Sequence, residues 1–124
     1  MEVQVFGVRK DAATRAALRF FAERRIRIHF VDLAERAASR GELSRFAQKF
    51  GVEALVDRAG RRFAELGLAA GRYSETQWLE KLVAEPRLLR TPLIRYGSQL
   101  TVGSEEAVWR QWADRRHLPP SPTP

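Results

Sequence analysis

Residues 3–32 read VQVFGVRKDAATRAALRFFAERRIRIHFVD, and the hydrophobic period changes twice within them. Val3, Gln4, Val5 and Phe6 make a short β-prone run that Gly7 interrupts. From Asp11 the period becomes helical. Ala13, Ala16, Ala17, Phe20 and Phe21 form one apolar stripe, and Arg15, Arg19 and Glu23 recur at every fourth position opposite it. Arg24-Arg25 close the helix with cations that suit the negative end of its dipole. Ile26, Ile28, Phe30 and Asp32 then alternate with Arg27, His29 and Val31, the period of a second strand. A strand, a helix and a strand at these lengths predict a parallel β-α-β unit with a right-handed crossover.

Beyond this unit the punctuation is mostly helical. Ser39 and Glu42 have capping-box spacing, and Leu43, Phe46, Ala47 and Phe50 follow at i, i+3, i+4 and i+7 until Gly51. Residues 52–56 read as one helical turn, Arg58-Ala59-Gly60 as a turn, and residues 62–66 as a short helix. A second capping box, Ser74 with Gln77, opens a helix with Trp78, Leu79, Leu82 and Val83 on its core face, stopped at Pro86. Leu93 to Tyr96 and Gln99 to Val102 read as two strands joined by a tight turn at Gly97-Ser98. Ser104 is expected to cap a last helix, with Glu105 and Glu106 in its first turn and Val108 and Trp112 on its buried face. The expected organisation is one domain over residues 1–116, with a helical insertion at about residues 39–85, and a flexible proline-rich tail over residues 117–124.

Composition removes several classes of function. The 124 residues are 44% hydrophobic and 30% charged, which suits one folded domain. No apolar run reaches the roughly 18 residues of a membrane span, and the chain opens directly on a strand pattern, so a cytoplasmic location is expected. There are 0 cysteines, which excludes disulfides, thiolate metal ligation and a cysteine nucleophile. His29 and His117 have no carboxylates at ligand spacing, so no metal site is expected. The net charge of +7 comes mostly from arginine and is spread along the chain, the pattern of a solvated surface. No nucleic-acid-reading helix or aromatic motif accompanies it, so a nucleic-acid partner is not expected. Trp78, Trp109 and Trp112 lie on or beside apolar stripes and are expected in the core.

The element order is β-α-β, a helical segment, then β-β-α, the thioredoxin arrangement with helices inserted in its middle. Four segments sharpen this. They are Val5 to Leu18 (VFGVRKDAATRAAL); Asp57-Arg58-Ala59-Gly60 with Phe63-Ala64-Glu65-Leu66-Gly67-Leu68; Glu85-Pro86-Arg87-Leu88-Leu89-Arg90-Thr91-Pro92-Leu93-Ile94; and Leu100-Thr101-Val102-Gly103-Ser104-Glu105-Glu106. In order and spacing they resemble the arsenate reductase/Spx family. The resemblance implies an α/β, thioredoxin-like fold with a four-stranded mixed sheet, and it implies a cis bond at Thr91-Pro92.

The chain departs from the family where the chemistry lies. Asp11 stands at the position of the nucleophilic cysteine, so no catalytic residue is assigned. Thr91 replaces the arginine that precedes the family's proline, with Arg90 one step earlier. Val102 and Asp57 stand at two further anion-site arginines, with Arg58 beside the latter. Thr14 and Arg15 are retained. Asp11 reads either as a helix N-cap or as a permanent mimic of the reduced thiolate, since a carboxylate also accepts N–H bonds at a helix terminus. Lys10, Asp11, Thr14, Arg15, Arg58, Arg90, Thr91 and Pro92 are the groove and anion-binding candidates, with Arg9 beside them. No cofactor is expected from the residues; the resemblance alone makes glutathione a candidate. The expected function is a redox-inactive protein-binding or regulatory module, with RNA polymerase as the partner implied by Spx. The alternative is an arsenate reductase-like or glutathione-dependent oxidoreductase or transferase that uses an external thiol.

Overall fold

The structure, a computed structural model, describes residues 1–115; the expected tail, with His117, lies outside them. The opening run forms β1 (Glu2–Gly7), α1 (Ala12–Glu23) and β2 (Arg27–Asp32), with β1 and β2 parallel as expected. The middle of the chain supplies α2 (Arg40–Phe50), a 3₁₀ turn at Val52–Leu55, α3 (Arg61–Glu65) and α4 (Glu75–Ala84). Then come β3 (Leu93–Tyr96), β4 (Gln99–Val102) and α5 (Glu106–Arg115). The described strands form one four-stranded mixed sheet in the order β2-β1-β3-β4, with β3 antiparallel to both neighbours. Thr91-Pro92 is cis. No described helix is long and apolar enough to cross a membrane.

Helices cover both faces of the sheet, and this explains where the pattern reading falls short. On one face Val3, Val5 and Ile94 pack with Ala17, Phe20 and Phe21 of α1 and with Trp109, Trp112 and Ala113 of α5. On the other, Phe6, Val31, Leu93 and Val102 pack with Leu43 and Phe46 of α2 and with Trp78 and Leu82 of α4. Strand β2 therefore buries Val31 on the face opposite Ile28 and Phe30, which are only half-buried at this sheet edge. On α1 the buried stripe is Thr14, Ala17, Phe20 and Phe21; Ala16 is exposed, and Thr14 takes the place the pattern gave to alanine. Phe50 at the end of α2 is 39% exposed, because the chain turns away at Gly51, where φ is 84°. All three tryptophans are in the core as expected. Trp109 Nε1 donates to Thr101 Oγ1 at 2.9 Å and Trp112 Nε1 to Gln99 Oε1 at 2.8 Å, so α5 is tied to β4 by polar as well as apolar contacts.

Local chemistry sets the helix starts. Both capping boxes are complete, Ser39 with Glu42 and Ser74 with Gln77. The last helix starts one residue later than the Ser104 cap implied: the carbonyl of Glu105 accepts the first helical bond, from Trp109 N at 3.0 Å. Glu42 has a second role. Its carboxylate accepts Arg36 Nη1 and Nη2 at 3.1 and 3.2 Å, as well as the Ser39 N–H at 2.8 Å. The hydrogen bond from Arg36 holds its carboxyl below the usual glutamate range.

Two outcomes follow from this packing. A Cβ at Gly7 would lie 2.5 Å from Thr14 Oγ1 and 2.6 Å from its Cγ2, where β1 runs under the first turn of α1. Gly7→Ala should therefore destabilise by about 1–3 kcal/mol through overpacking, read as a lower urea midpoint. Glu42 has a lower pKa folded than unfolded, so the stability it adds is complete above the ordinary glutamate pKa of about 4.3 and is lost as pH falls through the depressed value. The urea midpoints of the parent chain and Glu42→Gln should differ at neutral pH and converge in acid.

Candidate functional site at the first helix terminus

Gly7 ends β1 and pairs with Asp32, so the loops after β1 and β2 open at the same edge of the sheet. This is the carboxyl edge of two parallel strands, where α/β sheets form ligand crevices. The loop after β1 turns at residues 8–11, with Asp11 N donating to Val8 O at 3.0 Å. Asp11 is the N-cap of α1. Its Oδ2 accepts three bonds: Thr14 N at 3.1 Å, Thr14 Oγ1 at 2.8 Å and Thr91 Oγ1 at 2.8 Å. The third bond crosses from the helix terminus to the segment with the cis proline. Asp11 is thus a helix cap that is also anchored to a distant part of the chain.

The surroundings make a groove of about 630 Å³. Arg9, Lys10 and Arg87 bring cations to it, and Asp11, Asp32, Asp57 and Glu85 bring carboxylates. Several of these charges are already committed. Glu85 accepts Arg87 Nε and Arg62 Nη2, each at 2.9 Å, and the Arg87 hydrogen bond contributes most to holding its carboxyl below the usual range. Asp32 Oδ1 accepts Ala34 N at 3.0 Å and closes the turn after β2. The guanidinium carbon of Arg9 lies 4.7 Å from the centre of the Phe30 ring.

The structure gathers only part of the expected cation group. Lys10, Asp11 and Thr91 line the groove, together with Arg9. Thr14 is fully buried beneath Asp11, and Pro92 is buried next to Thr91. Arg15 turns back on its own loop, donating through Nη1 to Arg9 O at 2.8 Å and Lys10 O at 2.7 Å, so it braces the loop. Arg58 stands outside the groove lining, paired with Glu53 at 2.8 Å and near the Phe63 and Trp78 rings. Arg90 faces elsewhere, against Gly103 and a separate cleft beside Phe50. Of the expected cations, Arg15, Arg58 and Arg90 are therefore not brought into the groove lining. In their place the groove holds Asp32, Glu85 and Arg87, which sequence reasoning missed. Glu85 and Arg87 flank Pro86 within a segment that carried the family resemblance, and Asp32 ends β2 opposite Gly7.

This arrangement has a definite chemical character. The N–H of Thr14 and two hydroxyls, donors that suit an anion at a helix terminus, are already used by the chain's own carboxylate. An incoming oxyanion would meet that negative charge. Among the described residues no group of acids and histidines could hold a metal ion. What remains is a mixed-charge groove beside a braced loop, with no sulfur at its mouth.

Comparisons with known proteins agree with this fold. The uncharacterized protein YusI of Bacillus subtilis is 28% identical over 118 residues, 91% of this chain and 100% of YusI. Among solved structures, a YffB protein superposes with a TM-score of 0.81 at 21% identity, over 88% of this chain and 96% of that one. An arsenate reductase from Vibrio cholerae superposes with a TM-score of 0.78 at 23% identity, over 89% and 97%. At these identities the structural matches establish the fold. The ArsC family model matches residues 6–112, from β1 through most of α5, and the chain therefore belongs to the ArsC family.

Proposed function

We propose that this protein is an ArsC-family member without thiol redox activity, which acts by binding a protein partner through the groove beside Asp11. The observation that carries the reading is the carboxylate of Asp11 in the slot of a helix-terminal anion, held by three donors in a chain with 0 cysteines. A thiolate attacks an oxidised substrate with a sulfur lone pair and is itself oxidised; a carboxylate has the charge and lacks that chemistry. The groove is nonetheless kept, at about 630 Å³, with its loop braced by Arg15. Its mixed charge suits polar contact with a protein surface better than capture of a small oxyanion. RNA polymerase is the candidate partner by analogy with Spx, which makes the role regulatory.

A second reading is an enzyme that borrows its thiol from glutathione. It draws on Arg9 and Lys10, which line the groove and could hold the tripeptide's carboxylates. An arsenate assay coupled to glutathione and glutaredoxin separates the two. The purified parent chain should show no turnover above the protein-free control, and clear turnover would replace the proposal with the second reading. Asp11→Cys alone should restore little activity, because Thr91 and Asp57 stand where arginines would hold the oxyanion.

The binding reading has its own test. Purified RNA polymerase, and separately a native cell extract, should yield a stoichiometric complex with the parent chain. The double change Arg9→Glu with Lys10→Glu should weaken it, whereas Arg110→Glu on α5 should leave it intact. No stoichiometric protein from either source would end the proposal.

A further inference from the structure

A second surface, sharing no residue with the groove at Asp11, has a simpler charge pattern. Arg45, Gln48 and Lys49 of α2 face Arg95 of β3, Leu100 of β4 and the hairpin turn across a cleft of about 630 Å³ that has no carboxylate in its lining. Lys49 and Leu100 also belong to an adjoining cleft of about 310 Å³. That cleft adds the cation of Arg90, one acid (Glu105), and apolar groups from Phe50, Ala54, Val102 and Val108. The two clefts therefore form one continuous face, an apolar floor with four cations and one carboxylate around it.

Among the described residues, none of these four cations, Arg45, Lys49, Arg90 and Arg95, pairs with a carboxylate of the chain's own, whereas Arg27, Arg36, Arg58, Arg62, Arg87 and Arg110 each do. The Lys49 ammonium lies 5.5 Å from the centre of the Phe50 ring. Arg95 is held in place by its Nε, which donates to Gly97 O at 2.9 Å. The four like charges repel one another with no internal counter-charge other than Glu105. Phe50, 39% exposed in the smaller cleft, adds an aromatic ring where an amphipathic helix would bury one. Phenylalanine and arginine are both enriched at protein interfaces relative to the rest of the surface.

We propose that this face docks an acidic segment of a partner protein, with one apolar side chain against Phe50 and Leu100 and flanking carboxylates on Arg45, Lys49, Arg90 and Arg95. Charge complementarity excludes a second copy of this chain in the same place, since it would set four cations against four. The apolar floor favours a protein segment over a nucleic acid, whose phosphates would find no use for it and would meet Glu105 at one end. The proposal stands apart from the groove, so either can fail without the other.

A fluorescein-labelled peptide of aspartates and glutamates around a central leucine serves as the probe, added to the full chain at low salt. Anisotropy should report saturable binding, and amide shifts should concentrate at residues 45–50 and 95–102. Replacing the leucine by glycine, or Phe50 by serine, should weaken binding. Arg45→Glu with Lys49→Glu should weaken it by about tenfold or more, while Lys10→Glu should have no effect. A lysine-for-acid version of the peptide should not bind, a control that leaves the protein unaltered. The proposal is overturned by absence of saturable binding, by shifts at the Asp11 groove instead, or by a single-stranded oligonucleotide binding this face as tightly as the peptide.

Discussion

A single carboxylate oxygen joins two parts of the chain that are 80 residues apart: Asp11 Oδ2 accepts the hydroxyl of Thr91 while capping α1 through Thr14. A cap alone is worth about 1 kcal/mol and would fix only the helix start. The bond to Thr91 also sets the distance between that terminus and the segment leading into β3. Because Gly7 lies against Thr14, the same contact fixes how closely β1 runs beneath α1. The loop between β1 and α1 has little freedom left once Arg15 binds two of its carbonyls.

That constraint determines the character of the groove. A helix terminus of this kind attracts anions, and here the chain supplies the anion itself. The remaining charges nearly cancel: three cations face four carboxylates, and Glu85 is shared between Arg62 and Arg87. Neither Arg58 nor Arg90 lines this groove. Arg58 sits on an ion pair near Trp78, and Arg90 borders the basic face of α2 and β4. A cluster of four cations with one carboxylate thus lies away from the groove at Asp11, and the two surfaces offer different chemistry to a partner.

Much of the fold was legible because its signals are local. The two capping boxes, the glycine at the end of α2 and the two-residue turn at Gly97-Ser98 each act within a few residues, and all appear where the spacing put them. Errors cluster where burial comes from elsewhere in the fold. Ala16 and Phe50 satisfy a helical period yet face solvent, and Val31 is buried on a face that alternation alone left polar. The candidate site was half legible. Lys10, Asp11 and Thr91 could be located by motif, whereas Arg58 pairs with Glu53 and Arg90 lines a separate cleft.

The sequence by itself determined the element order, most of the helix starts and the absence of a cysteine thiol, because periodicity, capping and composition need no distant contact. Tertiary structure alone decided which charges meet. Asp32, Asp57, Glu85 and Arg87 come together only because β2, the residues after the 3₁₀ turn and the end of α4 converge on one sheet edge. A long arginine side chain can reach in several directions from one backbone position, so its partner is chosen by whichever element packs beside it.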